Sequence, residues 1–269
     1  FIAAPAALPY WFGMRAESAY AAMLQKMTAG SEFTVVNNNF QPGWFESTAD
    51  TTFALANLPT VTVSMLHRIS HGPLPLDDDF QLQPLLARVK SQISIGLPGG
   101  TIKLPPMSAR TSVYLAGNSS MRLDMEPYKK AAPKAGETEA IDLEWKGMSG
   151  EFALGADYKN VKGEMNAPLL RFAFKDGSFT LNKLNLNLDT QESASGLDTG
   201  SIALGIDKFV LDDRKKGETI SLDGLRLGTN TQEAGGNLSS TLTFQFRGME
   251  SGGNKQGAAQ INLQLRKLD

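Results

Sequence analysis

Along most of this chain apolar and polar side chains alternate one for one. In "TVTVSM" (60–65) Val61, Val63 and Met65 alternate with Thr and Ser, and in "VKSQISIGL" (89–97) Ile93, Ile95 and Leu97 alternate with polar residues. The same period of two runs through Leu184, Leu186 and Leu188, through Ile202, Leu204 and Ile206, through Leu242, Phe244 and Phe246, and through Ile261, Leu263 and Leu265. Successive strand side chains point to opposite faces, so each segment predicts a strand with one apolar and one polar face, as in an antiparallel sheet. A different period precedes them. Between Arg15 and about Met27, residues Ala16, Ala19, Tyr20, Met23, Leu24 and Met27 recur three and four apart and Gly30 supplies a stop, which predicts one helix. Turn signals lie at "KDGS" (175–178), "DDRKKGE" (212–218), "EAGGN" (233–237) and "SGGNKQG" (251–257).

The strands also repeat. "FTLNKLNLNLDTQESASGL" from Phe179 aligns with "ISLDGLRLGTNTQEAGGNL" from Ile220 at an offset of 41, setting Leu181 on Leu222, Leu184 on Leu225, Leu186 on Leu227 and Thr190-Gln191-Glu192 on Thr231-Gln232-Glu233. A one-residue shift then brings Ile202, Leu204 and Ile206 onto Leu242, Phe244 and Phe246, and "LEWKGMSG" (143–150) weakly echoes "FQFRGMES" (244–251). Two strand-loop-strand units of this kind extend a sheet by repetition. The predicted fold is mainly β: a long curled antiparallel β-meander with internal strand-loop-strand repeats, plus an N-terminal helix. Residues 15–269 read as a single β-rich domain, with the Lys-, Pro- and Ala-rich stretch 126–140 as a mobile loop or a minor break.

Composition narrows the function. At 269 residues and 41% hydrophobic content the chain is long enough to bury a core. With 26 basic against 28 acidic residues and no basic stripe interleaved with aromatics, it lacks the footprint of a nucleic-acid groove. Absence of cysteine removes disulfides, thiolate ligands and cysteine nucleophiles. The opening "FIAAPAALPYWFGMRAE" is too short an apolar run to span a bilayer and is interrupted by Pro5 and Pro9. Its Ala-rich residues followed by Tyr10, Trp11 and Phe12 suit the outer end of a membrane anchor at the interface, so residues 1–14 read as a juxtamembrane segment; the other reading is an apolar terminus tucked on the core.

Candidate chemistry is sparse. "HRISHGPLP" (67–75) carries both histidines, His67 and His71. At i and i+4 on a helix they would share one face and suit zinc, but the preceding alternation places them on a strand, where four positions span about 13 Å, too far for two imidazoles to share an ion. His71 reads instead as a hydrogen-bonding residue at the turn into Gly72-Pro73. "LDDDF" (76–80) lacks the alternating acids, glycine and distal glutamate of a calcium loop, "GLPGGT" (96–101) lacks the lysine of a phosphate cradle, and no G-x-S-x-G elbow occurs. Trp44-Phe45 read as core or, failing that, as a binding edge. No cofactor is expected.

Taken in order, "YWFGMRAESAYAAML" (10–24), "FQPGWFESTADTTFAL" (40–55) with its Gly43, Trp44 and Phe45, and a strand ending in "ISHGPLP" with His71, Gly72 and Pro73 resemble the YdgA-like family of bacterial envelope proteins, a family of unknown function. Pro42 stands where the family often has a basic residue. The resemblance implies a protein held in the inner membrane by one N-terminal helix with the remainder in the periplasm, and it implies no catalytic residues; members are generally longer than this chain.

An amphipathic sheet must cover its apolar face with another layer, another copy of itself or a ligand. The expected function is therefore non-enzymatic binding or transfer of lipid or another hydrophobic ligand, with Leu184, Leu186, Leu188, Ile202, Leu204, Ile206, Leu242, Phe244 and Phe246 as the lining. The alternative is a structural or adaptor protein of the envelope acting through a homodimer or a protein partner. A third, a metal-dependent hydrolase at His67 and His71, is the least supported.

Overall fold

A computed structural model describes residues 13, 16–18, 20–22, 24–25, 28, 31–73, 84–96, 105–130, 142–156, 159–193, 195–234 and 237–268. Its contacts divide the chain into two compact units, Phe1–Met125 with Gly155–Asp157, and Glu126–Leu154 with Tyr158–Asp269. The division falls at the start of the 126–140 stretch; "LDDDF" and most of "GLPGGT" lie outside the described residues.

The first unit is a helix on an antiparallel meander. Strands β1 (Phe33–Gln41), β2 (Glu46–Leu55), β3 (Leu58–His71), β4 (Leu85–Gly96), β5 (Met107–Tyr114) and β6 (Ser119–Met125) each pair with the preceding one. The described residues between 13 and 28 are helical, as the three-and-four spacing predicts; Arg15, Ala19, Met23 and Met27 of that stripe lie outside the described set. Tyr20 and Leu24, one turn apart, bury against Ala49 and Phe53, with Phe40, Val63 and Met65 packed around them. On β2 the helix-facing positions Ser47, Ala49 and Thr51 are small and without solvent exposure, so a helix can approach the strand closely there. The Tyr20 hydroxyl donates to Thr51 Oγ1 at 2.6 Å, and Thr51 Oγ1 in turn donates to Asn38 Oδ1 at 2.9 Å, which satisfies both buried hydroxyls. Burial pushes the Tyr20 phenol above its usual pKa, with the Thr51 hydrogen bond opposing and Asp50 adding to the rise.

The second unit is one sheet of long strands. It contains β7 (Tyr128–Lys130), β8 (Asp142–Trp145), β9 (Met148–Leu154), β10 (Asn160–Phe174), β11 (Gly177–Glu192), β12 (Asp198–Asp213), β13 (Glu218–Ala234), β14 (Asn237–Phe246), β15 (Gly248–Ser251), β16 (Asn254–Gln256) and β17 (Ala259–Leu268). Strands β10 to β13 form successive antiparallel hairpins; β8 and β9 lie end to end along β10, β14 and β15 end to end along β13, and β17 along β14. At 15 to 17 residues, β10 to β13 span roughly 50 Å each at about 3.3 Å per residue. Their turns follow local chemistry. Asp213 Oδ1 accepts the Lys215 and Lys216 N–H groups at 3.0 and 3.1 Å, and Gly252-Gly253, with φ of 55° and 81°, supply the two left-handed residues of a tight hairpin. The two copies of the repeat are β11–β12 and β13–β14. In each, the Thr-Gln-Glu glutamate fastens the strand end: Glu192 to Lys159 at 3.1 Å, and Glu233 to the Ser193 and Ser195 hydroxyls, whose hydrogen bonds hold its carboxyl below the usual range.

One transverse row interrupts every long strand of this sheet. The ladder steps over Pro168 and Lys183, over Lys183 and Asp207, and over Asp207 and Gly224. On the same row Gly147 separates β8 from β9 and Arg247 separates β14 from β15. Gly147, Lys183 and Gly224, on strands running in the same direction, have φ of 88°, 51° and 62°. At this row the parity of the apolar residues also changes: Leu181 to Leu184, Ile206 to Phe209, Leu222 to Leu225 and Phe246 to Met249 are each three apart instead of two. A residue outside the extended conformation, as in a β-bulge, breaks the alternation by one step, so the parity change returns the apolar residues beyond the row to the side they occupied before it. On the polar side Asp207 meets Lys183 at 3.4 Å and Arg226 at 4.0 Å, and Lys208 meets Asp223 at 3.8 Å.

Candidate functional site

In the first unit the motif residues converge. His71 ends β3 and its N–H donates to the Phe45 carbonyl at 2.8 Å, while Nδ1 lies 3.2 Å from the Trp44 carbonyl and Nε2 3.0 Å from Ser47 Oγ. With Nδ1 protonated and donating to Trp44, Nε2 accepts from the Ser47 hydroxyl, which itself accepts the Gly43 N–H at 3.3 Å. Helical Gly13 completes the cluster: a Cβ there would stand 2.7 Å from His71 Cε1 and 3.1 Å from the Gly43 carbonyl. Gly72 N–H donates to the Leu86 carbonyl at 2.8 Å, and a Cβ on Gly72 would collide with the Leu85 carbonyl. The Gly72-Pro73 bond is cis, and the Pro73 carbonyl accepts the Leu85 N–H at 3.0 Å. Gly43, Trp44, His71, Gly72 and Pro73 therefore hold the β1–β2 loop, the end of β3 and the start of β4 together, through their backbones and one imidazole.

Trp44 and Phe45 depart from the core reading. They are 50% and 53% exposed, because they occupy the turn between β1 and β2 and contribute carbonyls, not side chains, to the cluster.

Four residues back along β3, His67 Nδ1 pairs with Ser91 Oγ at 2.7 Å, and the imidazole packs edge-on to Tyr20 with centroids 5.4 Å apart. Its Nε2 is buried without a hydrogen-bond partner, and desolvation lowers its pKa. Both histidines thus touch a serine, a geometry shared with nucleophilic catalysis. Here Ser47 has no solvent exposure and Ser91 is buried, so a substrate carbonyl has no approach to either hydroxyl. Among the described residues no three His, Cys, Asp or Glu side chains converge as metal ligands.

In the second unit, register places all nine proposed lining residues on one face. Leu184, Leu186 and Leu188 stand opposite Ile206, Leu204 and Ile202. Ile206, Leu204 and Ile202 stand opposite Leu225, Leu227 and Thr229, and Leu227 and Thr229 stand opposite Phe244 and Leu242. Phe246, two residues on from Phe244, shares that face, with ring centroids 6.1 Å apart. The sheet extends the patch through Met165 on β10 and through Ile261, Leu263 and Leu265 on β17, which pair with Phe244, Leu242 and Ser240. Phe152 of β9 lies over Gly163, where a Cβ would strike its ring. At the far end the patch meets the row Thr190, Gly200, Thr231 and Ser240, three of which carry hydroxyls, with Thr231 and Ser240 hydrogen-bonded at 3.0 Å. The opposite face carries Asn185, Asn187, Ser201, Arg226, Asn230, Thr241 and Gln245 in the intervening rows.

Every described strand of this unit belongs to the one sheet, and among the described residues the unit has no helix. Ile202 and Leu242 remain 43% and 41% exposed in mid-sheet. Sequence reasoning did not include Leu225, Leu227 or the β17 residues in the lining, although the 41-residue offset carries Leu184 and Leu186 onto Leu225 and Leu227. Gly13 and Ser47 lie within the stretches that carry the family resemblance, but were given no role there, and Ser91 carried no local signal.

A family model described as a bacterial protein of unknown function, DUF945, matches residues 1–269. No curated protein and no solved structure matches the chain. The match agrees with the motif resemblance at the level of a bacterial family of unknown function; the YdgA-like name is narrower than the match.

Proposed function

The chain belongs to the DUF945 family of bacterial proteins of unknown function, and from that premise we propose that it is a non-enzymatic carrier or receptor for lipid or another hydrophobic molecule, bound on the apolar face of the second unit. The observation that supports this reading is the breadth of that face: apolar residues from Met165 across to Leu263 continue over six adjacent strands, and Ile202, Leu242, Ile261 and Leu263 among them are exposed although Ile206 is buried. Monomeric proteins rarely leave so large a contiguous apolar patch without a use for it. An acyl chain lying across the leucine rows would be shielded from water along the side that meets the sheet, with its polar end near the Thr231–Ser240 hydroxyls.

We place this protein at the periplasmic side of the bacterial inner membrane, on the strength of the motif resemblance and the interfacial character of Tyr10, Trp11 and Phe12. No helix among the described residues is long and apolar enough to cross a membrane. Of residues 1–14, read from the sequence as a juxtamembrane segment, Gly13 alone lies in the described set.

Native mass spectrometry of the protein extracted from its host membrane tests the proposal. Phospholipid at a defined stoichiometry, reduced by Leu204→Gln with Phe244→Gln, is the expected result. Absence of copurified lipid together with no uptake of a fluorescent fatty-acid probe would overturn it.

A further inference from the structure

Four cations stand side by side on the first unit. His67 faces the helix, so its neighbour Arg68 points to the other side of the sheet. On that side the ladders set Arg68 of β3 against Lys90 of β4, Lys90 against Arg110 of β5, and Arg110 against Arg122 of β6. No run in the sequence announces them, because only register brings positions 68, 90, 110 and 122 together. Like charges directly opposite one another weaken a sheet, so three such pairs in succession are something the fold does not require. Arg68 meets Glu46 at 3.3 Å and Arg122 meets Asp124 at 3.1 Å, yet these two arginine side chains stay 64% and 63% exposed; Arg110 is exposed as well, and Lys90 is half-buried.

The row lies near one end of the strands. Arg68 is three residues, about 10 Å, from His71 at the end of β3. The turns at that end carry exposed large apolar side chains, Trp44 and Phe45 between β1 and β2 and Leu115 between β5 and β6, and Gly13 of the helix is seated there on His71. Between the row and these tips, the described charged strand residues on the same face are Glu46 and the buried Arg88. Toward the opposite end, where Leu58 is exposed, the next row carries Asp50 and Asp124, and no described cation of these strands lies beyond it. Asp77, Asp78 and Asp79, in the connection between β3 and β4, lie outside the described residues.

We infer that this end of the first unit is a contact surface for an anionic bilayer, with Trp44, Phe45 and Leu115 entering the interface and the four cations meeting lipid phosphates. A transverse row is level when the strands stand upright on a plane, so all four side chains reach the headgroups at one height along their flexible stems. Apolar tips bordered by cations are the composition of a surface that binds an anionic leaflet, and the difference in charge between the two ends selects this one. The inference deepens the placement at the membrane by naming the surface that meets it, and it stands apart from the ligand face of the second unit.

Co-sedimentation of the 269-residue chain with phosphatidylcholine vesicles, prepared with and without phosphatidylglycerol, is the experiment. Binding is expected only with phosphatidylglycerol present, and it should fall as added salt screens the row. Lys90→Gln with Arg110→Gln should weaken it about tenfold. Phe45→Ser with Leu115→Ser, which keeps the bond from the His71 N–H to the Phe45 carbonyl, should weaken it to a similar degree. Thermal unfolding shows whether each variant folds, and if one does not, the other decides. Equal binding to neutral vesicles, no binding to either kind, or full binding by the folded variants would each overturn the inference. So would binding that is lost with Leu204→Gln and Phe244→Gln but kept by both of these variants, an outcome that leaves the lipid proposal standing.

Discussion

Deleting Lys183 tests the reading of the interrupted row. The deletion shortens β11 by one residue at the row while β10 and β12 keep Pro168 and Asp207, so the ladder beyond the row must slip by one step. With Leu184, Leu186 and Leu188 held in register, Leu181 and Phe179 take the ladder places of Asn182 and Thr180, opposite Lys208 and Val210 on the polar side. Fully burying a Leu or Phe contributes about 1.5–3 kcal/mol, and these two are half-buried, so their loss amounts to about 2 kcal/mol. Phe179 also gives up ring contacts with Phe172 at 6.3 Å and Phe209 at 5.7 Å, each worth about 0.5–1.5 kcal/mol. The Lys183–Asp207 ion pair is largely exposed and adds little. The sum is roughly 3–5 kcal/mol. In urea, followed by far-ultraviolet circular dichroism, that corresponds to a midpoint lowered by about 1–2 M for an m-value of about 2–3 kcal/mol per M. Lys183→Gly keeps the extra residue and tolerates φ of 51°, so it should stay within about 1 kcal/mol of the unmodified protein. If the deletion unfolds at the same midpoint as Lys183→Gly, the row does not set the apolar face and the reasoning fails.

Ser47→Ala should lower stability by about 1–3 kcal/mol, measured by urea unfolding, because it leaves His71 Nε2 and the Gly43 N–H unpaired in a buried cluster. Gly13→Ala should also destabilise, since its methyl meets His71 and the Gly43 carbonyl; an unchanged melting temperature would mean that the helix does not seat there. His67 has its pKa lowered by burial, so below its ordinary value near 6.5 the unfolded chain binds a proton that the folded chain does not. Stability should therefore fall as pH drops from about 7 toward the folded-state pKa and level off below it, and His67→Leu with Ser91→Ala should flatten that part of the profile.

The elements of this fold follow from short-range pattern. Alternation marks strands such as β11 and β12, and three-and-four spacing marks the helix carrying Tyr20 and Leu24, because each period is the geometry of its own backbone. The 41-residue repeat likewise announced that β11 and β13 occupy equivalent places, and with them Leu184 and Leu225. Even the interrupted row left a trace in the chain, as the step from Leu181 to Leu184 and from Leu222 to Leu225, but its meaning depends on neighbouring strands stepping at the same height. Tertiary structure alone decided the rest. Gly13, Ser47 and His71 meet because register and helix docking bring residues 24 and 58 positions apart into contact, and no local pattern encodes such a choice of partners. Trp44 and Phe45 turned outward for the same reason: burial is a property of what packs against a residue, so an aromatic pair in a turn stays exposed unless another element reaches it. What lies on each apolar face is likewise decided in three dimensions, since alternation gives each strand an apolar side without specifying what will cover it.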